Sequence, residues 1–423
     1  MAITTLFFLL SGCKLASDAL HQAVAPKLHN YTQSSNALKE CDFNKLIHGV
    51  SLNQNKLLKN AELGLSYYFK EDYKSSNSYF THAINIYQTN ENRAIISLSN
   101  TVKKEYQAEG FDKVFLHNYK AINYLMLGEA ESARVEAKNS NLIQQQEKLK
   151  LNIFKNKNNP SNKNAHLLSR YEKLFSSVNP QHHPYQNPFA YYISALSYAQ
   201  EGDYDNALVD IRNAIKYSYM DNKILNQKLN SYTKGEDTPS VELFFDIGAS
   251  PLKSQVALEM DMGNGEKRKA YLPNYSITHS NIDHIRVLNS KNKEVARASL
   301  LSDINAIKVN EFKEKLPAIL SIISKEASLS IGSKVLDEKS KLLATIFKTG
   351  SAIYGQNDTS TWSLLPQKIL VASFTPQQGE KYTIEIFSKK ESLLDKYQLK
   401  ISTQTNFKNQ YKHYIIRNSI VCK

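Results

Sequence analysis

One pattern of small and aromatic residues occurs three times in the first half of the chain, with the same internal offsets each time. In each copy a small residue precedes a tyrosine by three positions on one predicted helix, and a turn separates that helix from a second one. The copies comprise Gly64, Tyr67, Ser76, Phe80 and Ala83; Ala121, Tyr124, Gly128, Ala133 and Ala137; and Ala195, Tyr198, Gly202, Ala207, Ile211 and Ala214. Because residues three and four apart share a helix face, the pattern predicts antiparallel helix pairs that approach closely at the small residues.

The pattern resembles the tetratricopeptide repeat (TPR), in which helix pairs stack into a solenoid. We expect residues 38–230 to form such a TPR-like helical domain. The copies are unevenly spaced, and a Lys-rich insertion near 144–187 that contains Pro160, Pro180 and Pro184 is predicted to interrupt the stack.

A TPR solenoid has a concave face, and its usual ligand is a segment of another protein. Tyr67, Tyr68, Tyr124, Tyr191 and Tyr198 are candidates for lining that face, and all of these except Tyr68 are candidates for binding a partner. The alternative is that these rings pack between helices, as most buried tyrosines do.

The hydrophobic period changes after the polar stretch that ends at residue 239. Alternation typical of strands marks Val241–Ile247, Gln255–Met260, Lys267–Leu272 and Asp283–Leu288, and it returns near the end of the chain. Residues 302–347 between these regions have the period of an amphipathic helix, which Pro317 and Gly332 are expected to divide. Residues 240–423 are therefore predicted to form a β-rich, β-sandwich-like domain carrying a long amphipathic helix. The whole chain is then a multidomain α+β protein.

The N-terminus predicts where the protein resides. Met1–Leu10 is apolar but much shorter than the ~20 residues that a helix needs to cross a bilayer. It leads into Leu10-Ser11-Gly12-Cys13, which resembles the lipobox of bacterial lipoproteins. Residues 1–12 are thus predicted to be a signal peptide, Cys13 to carry the lipid anchor, and 13–37 to be a tether.

Lys14 follows the predicted lipidation site. Asp at this position favours the inner membrane in enteric-type lipoproteins, so the resemblance implies an outer-membrane protein that faces the periplasm. The pattern lacks a Lys or Arg before the apolar run, which a start codon further upstream would explain. The alternative is a buried apolar helix that ends at an ordinary cysteine.

Two further cysteines, Cys41 and Cys422, are consistent with export. They form either a disulfide that ties the C-terminal tail to the start of the folded body or two free thiols. His166, His182 and His183 lie in the Lys-rich insertion without a carboxylate or cysteine to complete a tetrahedral set. Neither a metal nor a cofactor is expected.

The formal net charge of +13 is interpreted as a solvated Lys-rich surface. Nucleic-acid binding is not expected, because no basic stripe is interleaved with aromatic residues and because export conflicts with it. The sequence contains no GxSxG or HExxH signature, so the chain is predicted not to be an enzyme.

The stretch His117–Leu125, with Gly128 and Ala133–Glu136 after it, resembles an uncharacterised family of Gram-negative lipoproteins with a TPR-like N-terminal half. Further similarities are Lys315–Ile319 and, near the end, Asp358, Trp362, Leu365, Pro366, Ala372 and Gly379. The resemblance implies an assembly role in the cell envelope. It makes Arg134 a candidate partner-binding residue, with helix capping or an inter-helix ion pair as the alternative.

Two functional hypotheses follow from the sequence. The leading one is a lipid-anchored periplasmic scaffold or adaptor that binds other envelope proteins through its TPR-like solenoid. The other is a protein that binds or processes cell-wall or surface polysaccharide through the C-terminal domain. A deep C-terminal pocket with two convergent carboxylates would favour the second hypothesis.

Overall fold

Successive helices pack on one another in the part of the chain before residue 240. The protein is described by a computed structural model that covers residues 34–422 except 35, 97–105, 107, 158–168, 170–182, 220, 237–238, 262–266, 278, 333–359, 402–408 and 418–419. The helices are α1 (Phe43–Ser51), α2 (Lys56–Phe69), α3 (Tyr73–Ile96), α4 (Gly110–Leu127), α5 (Ala130–Lys157), α6 (Pro188–Gln200), α7 (Tyr204–Tyr217) and α8 (Lys223–Thr233). Cys13, Asp358 and two of the three histidines of the predicted insertion lie outside the described residues.

Three helix pairs correspond to the repeated pattern: α2 with α3, α4 with α5, and α6 with α7. The residue four positions after each repeated tyrosine lies in the turn and has left-handed backbone geometry, with φ of 63° at Glu71, 76° at Gly128 and 78° at Gly202. Polar caps begin the helices: Asn55 accepts a hydrogen bond from the Leu58 amide, which begins α2 (2.9 Å). The offsets seen in the sequence therefore correspond to equivalent positions in the turns.

Gly64 is the point of closest approach between α2 and α3. A Cβ atom at this position would lie 2.4 Å from Cδ1 of Phe80, which is fully buried on α3. The backbone carbonyl of Gly64 also accepts a hydrogen bond from the Ser76 hydroxyl (2.7 Å). The small residue thus allows both ring packing and a buried polar contact across the pair.

The second half of the chain is mainly strands. They are β1 (Val241–Ile247), β2 (Leu252–Asp261), β3 (Lys267–Ser276), β4 (Ile282–Asn289), β5 (Glu294–Arg297), β6 (Ser299–Asp303), β7 (Lys368–Phe374), β8 (Tyr382–Ser388), β9 (Leu393–Leu399), β10 (Gln410–Arg417) and β11 (Ile420–Cys422). The described strands form a five-stranded sheet in the order β11-β10-β1-β7-β6, a four-stranded sheet in the order β5-β4-β8-β9, and the pair β2-β3. In the five-stranded sheet β1 is parallel to β10 and antiparallel to β7.

Strand β1 is buried on both faces because it lies between two layers. Its odd-numbered residues, such as Leu243 and Phe245, pack with residues of the four-stranded sheet in one core. Its Phe244 belongs instead to a second core shared with the helices. The molecule therefore has helices on one face of the five-stranded sheet and the four-stranded sheet on the other, which makes it a mixed helix-and-sheet protein of the α+β class.

A ninth described helix, α9 (Ile304–Gly332), follows β6. The predicted break at Pro317 is wrong, because α9 continues through this residue. A proline removes one backbone donor, but the neighbouring Leu316 and Ala318 are buried, so packing keeps the helix continuous. The predicted insertion also differs at its start, since residues 144–157 continue α5.

Candidate functional site

The tyrosines proposed from the sequence as a binding face lie among the helices. The ring of Tyr67 stacks on Tyr79 of α3 (centroids 5.2 Å apart), and that of Tyr191 stacks on Tyr217 of α7 (5.9 Å). Tyr124 and Tyr198 are half-buried against the helical core. The ring faces of Tyr67 and Tyr191 are thus occupied by aromatic side chains of the same chain. Partner binding by these tyrosines stays a prediction.

Arg134 joins two helix pairs. It projects from α5 and forms an ion pair with Glu201, the residue that follows α6. Both side chains are only partly exposed. Arg134 therefore forms the inter-helix ion pair that the sequence offered as an alternative to partner binding.

The five-stranded sheet covers the inner helices α2, α4 and α6. Each of these helices places one tyrosine against the sheet. The Tyr68 ring stacks on His413 of β10 (4.2 Å), and Tyr119 and Tyr192 donate hydroxyl hydrogen bonds to Asp246 (3.0 Å) and Glu242 (2.6 Å) of β1. The chain's own sheet therefore occupies the side of the helix stack that these three side chains face.

The carboxylate of Glu242 is fully buried in this interface. It accepts hydrogen bonds from Ser240 (2.6 Å) and Ser373 (2.8 Å) and forms an ion pair with Lys228 of α8 (2.7 Å). Burial alone would raise its pKa, but Lys228 and the hydroxyl donors hold the pKa below the usual value. A carboxylate so enclosed holds the layers together and does not reach a ligand from solvent.

A second buried ionisable cluster links α4 to α9. Lys308 has no exposed surface, and its ammonium donates to the Thr361 hydroxyl (2.9 Å) and the Trp362 carbonyl (3.4 Å). Burial lowers the pKa of Lys308 to about 8. On α4, burial raises the pKa of Asp112 to about 7, even though its carboxylate accepts hydrogen bonds from the Tyr106 hydroxyl and the Glu109 amide.

Such shifted pKa values are typical of functional sites, but ion networks inside a structure also produce them. Glu311 of α9 accepts hydrogen bonds from the amides of Gly110 (3.3 Å) and Phe111 (3.4 Å), which begin α4. Its carboxylate also binds Lys315 (2.7 Å). Because Glu311, Lys308 and Asp112 are buried, the cluster fixes α9 on the helix stack and offers no open reaction site.

Helix α5 exposes a set of large apolar side chains to solvent. Of the nine large apolar side chains exposed in the described part of the chain, four are on this helix. They are Val135 (50% exposed), Leu142 (43%), Leu149 (62%) and Ile153 (66%), and we call them the α5 row. The first three are spaced seven residues apart, so they lie along one helix face, and the row is about 27 Å long.

Most charged side chains of α5 are basic, and its one exposed glutamate, Glu131, lies before the first residue of the α5 row. Helix α5 carries six Lys or Arg residues and three Glu residues. Two of the glutamates turn inward, where Glu136 binds Lys120 of α4 (2.7 Å) and Glu147 binds Lys113 of α4 (2.9 Å). Lys138 is exposed. The surface beside the row is therefore apolar and basic.

Cys41, which precedes α1, and Cys422 of β11 are joined by a disulfide with a Cα–Cα distance of 5.3 Å. Within the described residues no group of three or more His, Cys, Asp or Glu side chains is arranged to hold a metal ion. None of the helices described above has both the length and the apolar content to cross a bilayer.

Comparison of the chain with protein-family models and with curated proteins finds no match. The resemblance of His117–Leu125 to a lipoprotein family therefore stays a prediction. What this stretch does in the fold is visible in its contacts: His117 binds Glu136 of α5 (2.6 Å), and Tyr119 binds the sheet.

Proposed function

We propose that this protein is a lipid-anchored scaffold or adaptor at the outer membrane that faces the periplasm and binds other envelope proteins through the outer layer of a TPR-like helix stack. The observation that carries the proposal is the α5 row. Four large apolar side chains exposed along one helix face are unfavourable for a protein that stays alone in water, and surfaces of this kind commonly mark interaction sites.

The TPR-like assignment is supported by the equivalence of the three helix pairs. Their turns have left-handed geometry at the same offset, and the small residue of the first pair, Gly64, is packed by the aromatic side chain of the second helix. The position of the bound partner differs from the usual TPR arrangement, because the chain's own sheet packs against the inner helices.

Export is supported by the Cys41–Cys422 disulfide, since such bonds persist in oxidising compartments and are rare in the cytosol. The N-terminal resemblance to a lipobox supplies the anchor at Cys13. Mass spectrometry of the mature protein should find an acylated Cys13 at the N-terminus, and an intact Met1 with an unmodified Cys13 would refute the anchor.

Photo-crosslinking in intact cells tests the scaffold function. A photoreactive amino acid at position 142 or 149 should crosslink the full-length protein to one defined envelope protein in each replicate. The control is position 393, whose leucine is equally exposed (49%) but lies on β9. If the α5 and β9 positions give the same pattern, or if only glycan is captured at β9, the scaffold proposal fails.

A further inference from the structure

The α5 row has a geometry and a charge that together restrict what it binds. We infer that its occupant is an amphipathic helix of another protein with an apolar seam and an acidic polar face. This inference rests on the proposed scaffold function and specifies the partner's chemistry.

The geometry indicates a helix. Val135, Leu142 and Leu149 repeat every seven residues, which is the spacing of one seam position in a coiled coil. Ile153 extends the same face by one further turn. A second helix lying along α5 at the usual coiled-coil distance contacts a seam of this width along its whole length.

The charge indicates an acidic partner. Coiled-coil pairing is selected by charged residues that flank the apolar seam. On α5 the exposed Lys138 and the partly exposed Lys148 lie between the apolar residues of the row. Arg134 is already paired with Glu201, and Glu136 and Glu147 are turned inward by lysines of α4. Glutamates along the edges of a partner helix would therefore meet basic side chains on this surface, and lysines would be repelled.

A second copy of this chain is disfavoured as the occupant. Two α5 rows placed face to face would bring the same basic flanks together, and like charges across an interface oppose association. Anionic lipid is disfavoured by the width of the row. The positions between its apolar residues include the exposed Gln145, Gln146 and Asn152, and helices that lie in a membrane surface have a broader apolar face.

The direct test uses two designed peptides and the full-length chain. Both peptides are four-heptad amphipathic helices with Leu at the seam positions; one carries Glu at the flanking positions and the other carries Lys. Fluorescence anisotropy at low salt should show that the acidic peptide binds and that the basic peptide binds at least tenfold more weakly. Raising the salt concentration should weaken the acidic complex.

Variants locate the site. Leu142→Gln/Leu149→Gln should weaken binding of the acidic peptide at least tenfold, whereas the matched change Leu393→Gln on β9 should leave it unchanged. Because all three side chains are exposed, we expect the variants to fold, and a circular dichroism melt checks this. If the acidic peptide fails to bind, or if the double variant binds it as well as the parent protein does, the inference is wrong.

A second copy of the chain or a membrane at the α5 row would each give a different experimental result. If sedimentation shows a dimer that is lost in Leu142→Gln/Leu149→Gln, a second copy occupies the row. If vesicles with 30% anionic lipid bind the parent protein and not this variant, a membrane occupies it. A cellular crosslink from position 142 to a partner segment that is not an acidic helix would overturn the inference and leave the scaffold function standing, whereas loss of all α5 crosslinks would refute the scaffold function itself.

Discussion

Replacing Gly64 by alanine tests how closely α2 and α3 approach. Alanine favours a helix over glycine by ~1 kcal/mol, so propensity alone predicts a more stable protein. The added Cβ, however, would lie 2.4 Å from Cδ1 and 2.5 Å from Cε1 of Phe80, well inside the ~3.5 Å at which carbon atoms pack. Phe80 is fully buried, and its ring contacts those of Tyr119 and Trp362, which restrict its movement.

The steric effect should exceed the propensity effect. Overpacking of a rigid core costs ~1–3 kcal/mol, and an overlap with two ring carbons belongs at the upper end. We therefore expect Gly64→Ala to lower the free energy of unfolding by ~2 kcal/mol in urea denaturation followed by circular dichroism. In a Phe80→Leu background, which leaves room, the same change should be neutral or stabilising. A Gly64→Ala protein at least as stable as the parent would refute the close approach.

Three further predictions concern covalent, electrostatic and backbone effects. The Cys41–Cys422 disulfide closes a loop of 381 residues. Its reduction should lower the free energy of unfolding by up to ~6 kcal/mol, because the unfolded chain regains the entropy of that loop. As a control, the urea midpoint of a variant with serine at both positions should not change when reductant is added. The pKa of Asp112 is raised from 3.8 to about 7 in the fold, so the folded state binds the extra proton and stability should fall as the pH rises from about 4 to about 7. The urea midpoint should therefore fall with rising pH in the parent protein and much less in Asp112→Asn. If both proteins show the same pH dependence, the raised pKa of Asp112 is wrong. The backbone φ at Glu71 is 63°, a value that glycine adopts with less strain than glutamate. Glu71→Gly should therefore raise the free energy of unfolding by ~1 kcal/mol at most and raise the melting temperature. A lower melting temperature would argue against backbone strain at this turn.

The helix pairs could be predicted because their determinants are local. The offset from Tyr124 to Gly128 recurs from Tyr198 to Gly202, and in both cases the glycine is the left-handed residue that ends the inner helix or follows its end. Glu71 has the same left-handed geometry at the equivalent position without being glycine. Periodicity within a short segment carries such information well.

The covering of the inner helices could not be predicted, because it depends on contacts between distant segments. Tyr119 and its acceptor Asp246 are separated by 127 positions, and nothing in either local pattern specifies the partner. Tyr67 and Tyr68 are adjacent in sequence, yet the first packs on α3 and the second on the sheet. A sequence pattern identifies a helix face as apolar without showing which element covers it.

The burial of Glu242 and Asp246 could not be predicted from the sequence for a related reason. In β1 the alternation of apolar residues with Glu242 and Asp246 is typical of a strand with one face in solvent. Both carboxylates are instead buried, because helices supply Lys228, Tyr192 and Tyr119 as partners. A polar residue in a strand therefore predicts a polar environment, which can come from another layer of the protein as well as from water.

The covered inner face bears on the binding that we propose for the α5 row. A stack of helix repeats can flex when each repeat contacts only its neighbours. In this protein the sheet contacts α2, α4 and α6 together, and the buried Lys308 and Glu311 hold α9 against the same layer. Helix α5, which packs on α4, is therefore held by a layer that the rest of the fold already fixes. If the proposed partner helix docks on the α5 row, it would have to order only itself, and this preorganisation would lower the free-energy cost of binding.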